Sequence, residues 1–289
     1  FYGLGKCKAP WESLSSGCRQ ILLDAILTCS EDFGGHEVGN IVYGLGGMTA
    51  SFEGIPVAVF HALARVLDRV DDDISQTELC SFLHGLVNID ASWSKMPESF
   101  KSTLMNIIRS QTKLDYVCVA CVTYCLGKFG ALWKDLPKAL CTTLEKELAL
   151  SSSLADQTLS NTIYGMGLLS VHWDDLPDAV RVNLFQVLGS PEAFASFKPQ
   201  HISNTLWGLA RMEAIWSDLP THNIEEAMNR MLSAASAQEL ANVIFGLGGL
   251  ETTWSKLQLV YHILIQCLYC FQLLLGSSQL HVLVDPHDL

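Results

Sequence analysis

Asn204-Thr205-Leu206-Trp207-Gly208-Leu209-Ala210 returns as Asn40-Ile41-Val42-Tyr43-Gly44-Leu45-Gly46, as Asn161-Thr162-Ile163-Tyr164-Gly165-Met166-Gly167 and as Asn242-Val243-Ile244-Phe245-Gly246-Leu247-Gly248. Weaker copies begin at Ser81 and Cys121. With the Asn position as origin, the six copies start at 40, 81, 121, 161, 204 and 242, so the steps are 41, 40, 40, 43 and 38 residues. A fixed period of this size is the mark of a repeat architecture. A second landmark agrees with it. Twelve residues after each origin stands Trp93, Trp133, Trp173, Trp216 or Trp254, with Phe52 in the remaining copy. Trp11, with Tyr2-Gly3, belongs to a truncated copy at the start of the chain. An apolar-Pro pair then follows at Ile55-Pro56, Met96-Pro97, Leu136-Pro137, Leu176-Pro177 and Leu219-Pro220.

Each unit reads as two helices. The first opens on a capping residue, and Ser75-Gln76-Thr77-Glu78 and Ser236-Ala237-Gln238-Glu239 have the form in which serine and glutamate satisfy the free N–H groups reciprocally. Asp115 caps in the same way. Leu240, Ile244, Leu247 and Leu250 illustrate its apolar stripe. The second helix begins near the apolar-Pro pair, where proline's missing N–H is harmless, and Asp135, Asp175 and Asp218 are expected as its caps. Phe100, Leu104, Ile107 and Ile108 match Val180, Leu184, Val187 and Leu188 as its buried stripe. Two such helices cannot bury both stripes alone, so neighbouring pairs must stack. The expected fold is all-α, a right-handed α-solenoid with about six and a half repeats over residues 1–257. Recurrent glycines such as Gly44, Gly46, Gly165 and Gly167 cost about 1 kcal/mol each in a helix interior. Close helix approach is the expected compensation.

Residues 258–289 fall outside the repeat pattern. Leu257 to Leu275 is nineteen residues without a charge, a length that would also cross a membrane. Gln258, His262 and Gln266 recur at four-residue spacing, which favours the second helix of the last unit followed by a buried cap. A membrane partner is therefore not expected. Asp71-Asp72-Asp73 is expected as a solvated turn.

With 49% hydrophobic and 17% charged residues the chain is not disordered. A formal charge of −12 argues against sequence-independent grip on nucleic acid or on anionic membranes. The stretch from Lys95 to Lys146 is locally basic. Ten cysteines are too few for a disulfide-stapled secreted scaffold, and reduced thiols are expected.

The copy Phe197-Lys198-Pro199-Gln200-His201-Ile202-Ser203-Asn204-Thr205-Leu206-Trp207-Gly208-Leu209-Ala210 resembles the octotricopeptide (OPR) repeat, related to FAST-kinase-like and RAP proteins that bind organellar RNA. That resemblance implies a paired-helix superhelix in a chloroplast or mitochondrion that binds single-stranded RNA of an organellar transcript and governs its processing, stability or translation. Other proteins of a ribonucleoprotein complex would be further partners.

On the first helix, positions minus four, zero, plus three and plus seven share a face opposite the apolar stripe. They hold Gln200, Asn204, Trp207 and Arg211 in one copy, Gln157, Asn161 and Tyr164 in another, Gln238, Asn242 and Phe245 in a third, and Lys128 in the copy at Cys121. Amides pair with base edges, rings stack on bases, and Arg meets phosphate or stacks. These eleven residues are the candidate RNA contacts. The competing reading is that Asn and the aromatic ring bridge adjacent units. A protein-interaction scaffold is the alternative function, and the acidic charge suits a basic protein partner.

No catalytic residues, cofactor or metal are expected. Gly44-Leu45-Gly46-Gly47 recurs too often to be a dinucleotide loop. Cys118-x-x-Cys121-x-x-x-Cys125 has the look of a metal motif with Cys267-x-x-Cys270 as its complement. The second pair is more than three repeats away, so the cysteines read as small buried hydrophobes.

Overall fold

A computed structural model describes residues 1–250 except 71–73, 112, 151–155, 191–192, 195–196 and 232–233. The acidic run at Asp71, the landmark Trp254 and the apolar segment after Leu257 therefore lie outside the described residues. Thirteen helices are described, with no strand among them. The first helices of the units are α1 (Tyr2–Lys6), α3 (Gly35–Gly47), α5 (Gln76–Asn88), α7 (Tyr116–Phe129), α9 (Asp156–Leu168), α11 (Pro199–Arg211) and α13 (Ala237–Gly249). The second helices are α2 (Ser16–Cys29), α4 (Val57–Arg69), α6 (Glu98–Ser110), α8 (Lys138–Leu150), α10 (Asp178–Leu188) and α12 (Thr221–Met231). Each odd helix packs on the next odd one from α1 to α13, and the even helices pack in sequence from α2 to α10. The molecule is a two-layer α-solenoid-like stack, with the stripes of both layers meeting in one elongated core.

The boundaries of the odd helices come from local chemistry. Ser75 and Ser236 each accept from the backbone N–H three residues on, while Glu78 and Glu239 accept from the backbone N–H of those serines. Asp115 accepts from the Cys118 N–H at 2.7 Å, and Pro199 occupies the first turn of α11. The stop signal is a recurrent backbone turn. Nine residues after the origins at 40, 81, 121, 161 and 204 the chain enters the left-handed region, at Thr49, Asp90, Gly130, Ser170 and Glu213, and it does so at Lys8 in the truncated first copy. The next residue donates its N–H back to the carbonyl five before it, as in Ala91 to Leu86 and Val171 to Met166. This is the Schellman closure, in which glycine is the unstrained residue. Only the copy at Cys121 has glycine there.

The tryptophan landmark then joins neighbouring units. The backbone N–H of Trp11, Phe52, Trp93, Trp133, Trp173 and Trp216 donates to the carbonyl of Met48, Ile89, Phe129, Leu169, Met212 and Leu250 respectively, at 2.7–3.1 Å. Each acceptor ends the odd helix of the following unit, so one hydrogen bond per repeat fixes the register between units. The caps expected at Asp135, Asp175 and Asp218 are corrected. These aspartates close a short 3-10 turn headed by the tryptophan. Pro56, Pro97 and Pro177 take the N-cap place themselves, with extended ψ near 140°. Proline fixes φ and disfavours helix in the residue before it, so the helix begins one residue later.

Candidate functional site

Glycine sets how closely the odd helices approach. A Cβ on Gly165 would stand 2.5 Å from the Tyr124 backbone nitrogen, one on Gly208 would stand 2.5 Å from the Ile163 carbonyl oxygen, and one on Gly85 would stand 2.6 Å from the Tyr43 nitrogen. Real side chains do not tolerate such contacts, so these positions exclude any larger residue unless the helices part. The residue before each of these glycines carries the ring of the heptapeptide, and close backbones bring successive rings together. Tyr124 and Tyr164 have ring centroids 6.1 Å apart, Tyr164 and Trp207 4.8 Å, and Trp207 and Phe245 6.1 Å. His84 leads into this row at 6.2 Å from Tyr124. Tyr2 and Tyr43 pair separately at 5.9 Å. The rings bridge adjacent units, as the packing reading expected, and they also form one row on the outer side of the odd layer.

The remaining candidates flank that row. Gln157, Gln200 and Gln238 are exposed, Asn161, Asn204 and Asn242 are half-buried, and Tyr164 and Trp207 keep part of their rings in solvent. Phe245 is 51% exposed, unusual for a phenylalanine. Gln238 donates to the Asn242 side-chain oxygen at 3.1 Å. The Arg211 guanidinium lies 5.8 Å from the Trp207 ring centroid, and the Lys6 ammonium lies 5.2 Å and 5.5 Å from those of Tyr2 and Tyr43. Arg211 thus sits over the row one turn beyond its ring, and Lys6 does the same over the separate Tyr2–Tyr43 pair. Lys128 is exposed at the equivalent position.

The basic stretch from Lys95 to Lys146 does not collect on this face. Lys101 and Arg109 are on α6, Lys138 and Lys146 are on α8, and Lys95 and Lys134 are in turns. Lys128 alone of the stretch stands on the outer face of an odd helix. Lys95 pairs with Glu53, and Lys101 pairs with Glu98 at 2.7 Å. The row is therefore aromatic and amide-rich, with few cations.

A second constellation lies between α5 and α7. Cys118, Cys121 and Cys125 are buried, as expected, while Cys267 and Cys270 lie outside the described residues. The neighbours that the sequence reading missed are Cys80 and His84, one turn apart on α5. The Cys125 thiol is 3.8 Å from His84 Nδ1 and 3.9 Å from the Cys121 sulfur. The neighbouring Cys118 and Cys121 thiols hold the Cys80 thiol below its ordinary range, and the Cys125 thiol raises the His84 imidazole above its own. The signal was present in the repeat numbering. Cys80 to Cys121 and His84 to Cys125 are both separations of 41 residues, which places them at facing positions of adjacent units. No protein-family model matches the chain, and no curated protein matches it either.

Proposed function

We propose that the outer face of the odd helices binds single-stranded RNA, and that the protein acts without chemistry of its own in the processing, stability or translation of an organellar transcript. The observation that carries this reading is the continuous row of part-exposed rings from Tyr124 to Phe245, edged by Gln157, Gln200 and Gln238 and topped by Arg211. Stacking surfaces with amides beside them suit unstacked bases. A base slotted between two rings would need roughly 6.8 Å, two stacking distances, and the row has 4.8–6.1 Å. Bases therefore lie against the open faces and edges of the rings, with Phe245 offering the broadest one. Resident proteins of a ribonucleoprotein complex would meet the remaining surface.

The scaffold reading keeps one specific support. The net charge is −12, and most of the basic stretch lies off the row, which suits a basic protein partner. Fluorescence anisotropy with single-stranded RNA oligonucleotides separates the two. Replacing Gln200→Ala together with Arg211→Ala is expected to weaken RNA binding about tenfold at unchanged helical content, with a shallow salt dependence of about −0.7 per phosphate neutralised. Equal affinities for the two chains, or no affinity in either, would leave the scaffold reading.

A further inference from the structure

At most junctions of the odd layer small residues face each other. Gly5 meets Gly44, Gly46 meets Gly85, Gly127 meets Gly165, and Gly167 meets Gly208. The corresponding positions of the α11–α13 junction are Ala210 and Gly246. At the α5–α7 junction both small residues are lost. Val87 and Cys125 stand there instead, and these two helices pack less closely than their neighbours in the layer. Thiol and imidazole side chains fill the space between them.

Each helix brings a pair one turn apart to this gap, Cys80 with His84 on α5 and Cys121 with Cys125 on α7. The ligand atoms of His84, Cys121 and Cys125 all lie within 4.8 Å of one another, with edges of 3.8 and 3.9 Å. A tetrahedral zinc ion, with bonds of about 2.3 Å to sulfur and about 2.0 Å to imidazole nitrogen, holds such atoms roughly 3.5–3.8 Å apart. The two edges at Cys125 already match those lengths. Cys80 lies one turn before His84 on α5, its backbone carbonyl 3.8 Å from the Cys121 sulfur, and a turn of its side chain toward the triad would bring its thiol in as the fourth ligand. His84 and Cys80 both keep some solvent contact, which gives an ion a way in.

We infer that Cys80, His84, Cys121 and Cys125 form a tetrahedral zinc site that clamps two neighbouring repeats. Three sulfurs with one imidazole select a borderline-soft cation over magnesium or calcium, which want oxygen. Four protein ligands leave no open position, so the role is structural, with coordination replacing the glycine contact missing from this junction. On binding, the three thiols give up their protons to solvent and each sulfur forms a bond to the ion. The inference is independent of the RNA reading.

The test uses the reduced, metal-free full chain, titrated with cobalt(II) and then with zinc(II). One equivalent of cobalt is expected to produce the intense visible bands of a tetrahedral thiolate complex, which zinc then abolishes. Two variants guard against misfolding, because each installs what other repeats carry at the same position: Cys125→Gly and His84→Tyr. Both are expected to keep helical content and lose at least about a hundredfold in zinc affinity. Cys267→Ser combined with Cys270→Ser is expected to leave the spectrum unchanged. The proposal is overturned if the reduced chain gives no such bands, if Cys125→Gly and His84→Tyr bind as tightly as the parent, or if the bands vanish in the folded Cys267→Ser/Cys270→Ser chain.

Discussion

The α7–α9 and α5–α7 junctions are built from the same repeat and held in different ways. In the first, Gly127 faces Gly165, and a Cβ on Gly165 would meet the Tyr124 nitrogen at 2.5 Å. In the second, Val87 and Cys125 occupy those places, and the helices stand further apart around a thiol and imidazole cluster. The ring row continues across both, with 6.1 Å from Tyr124 to Tyr164 and 6.2 Å from His84 to Tyr124. The outer surface is thus insensitive to how the junction beneath it is filled, within the space of one side chain. What changes is the chemistry available between the helices.

The strongest way to break this comparison is to widen the tight junction. Gly165→Val forces a side chain against backbone and is expected to cost about 3 kcal/mol in urea unfolding, the upper end for overpacking. Cys125→Ala in the metal-free chain should cost only about 1 kcal/mol, since it removes one buried sulfur and improves helix propensity. Equal costs would mean that the glycines do not set the spacing. Zinc sharpens the contrast from the other side. At about a hundredfold above its dissociation constant it should stabilise the folded chain by about 2.7 kcal/mol. The rise in Tm should be absent in Cys125→Gly.

A smaller effect tests the shared turn. Ser170 ends its odd helix at φ 57° and Gly130 does so at φ 82°. The left-handed region costs non-glycine residues roughly 1 kcal/mol. Ser170→Gly is expected to stabilise by about that amount, and Gly130→Ser to destabilise by as much, both read from urea midpoints.

The two-helix unit was legible because its signals are local and repeated. Ser75 with Glu78 and Ser236 with Glu239 form the capping boxes that their spacing implies. Phe100, Leu104, Ile107 and Ile108 are buried as one stripe. Local rules reached less far at the entry to the second helix, where Asp175 lies within the tryptophan turn and Pro177 takes the cap. Relations between units were harder to read, because they depend on register. Helical spacing alone relates Gln200, Asn204, Trp207 and Arg211 along α11, but the ring-to-ring row appears only when units are stacked. Cys80 and His84 escaped notice for the same reason. Scanning along the chain sets Cys121 beside Cys118 and Cys125, whereas comparison of facing positions in adjacent units brings in the α5 pair.

Ultraviolet crosslinking of single-stranded RNA to the purified chain, with the modified peptides mapped by mass spectrometry, asks which layer meets nucleic acid. Adducts are expected to concentrate at the part-exposed rings of the odd helices, on Tyr164, Trp207 and Phe245. Adducts confined to the even layer and its turns, at Lys134, Lys138 or Lys146, would contradict the account, as would their absence.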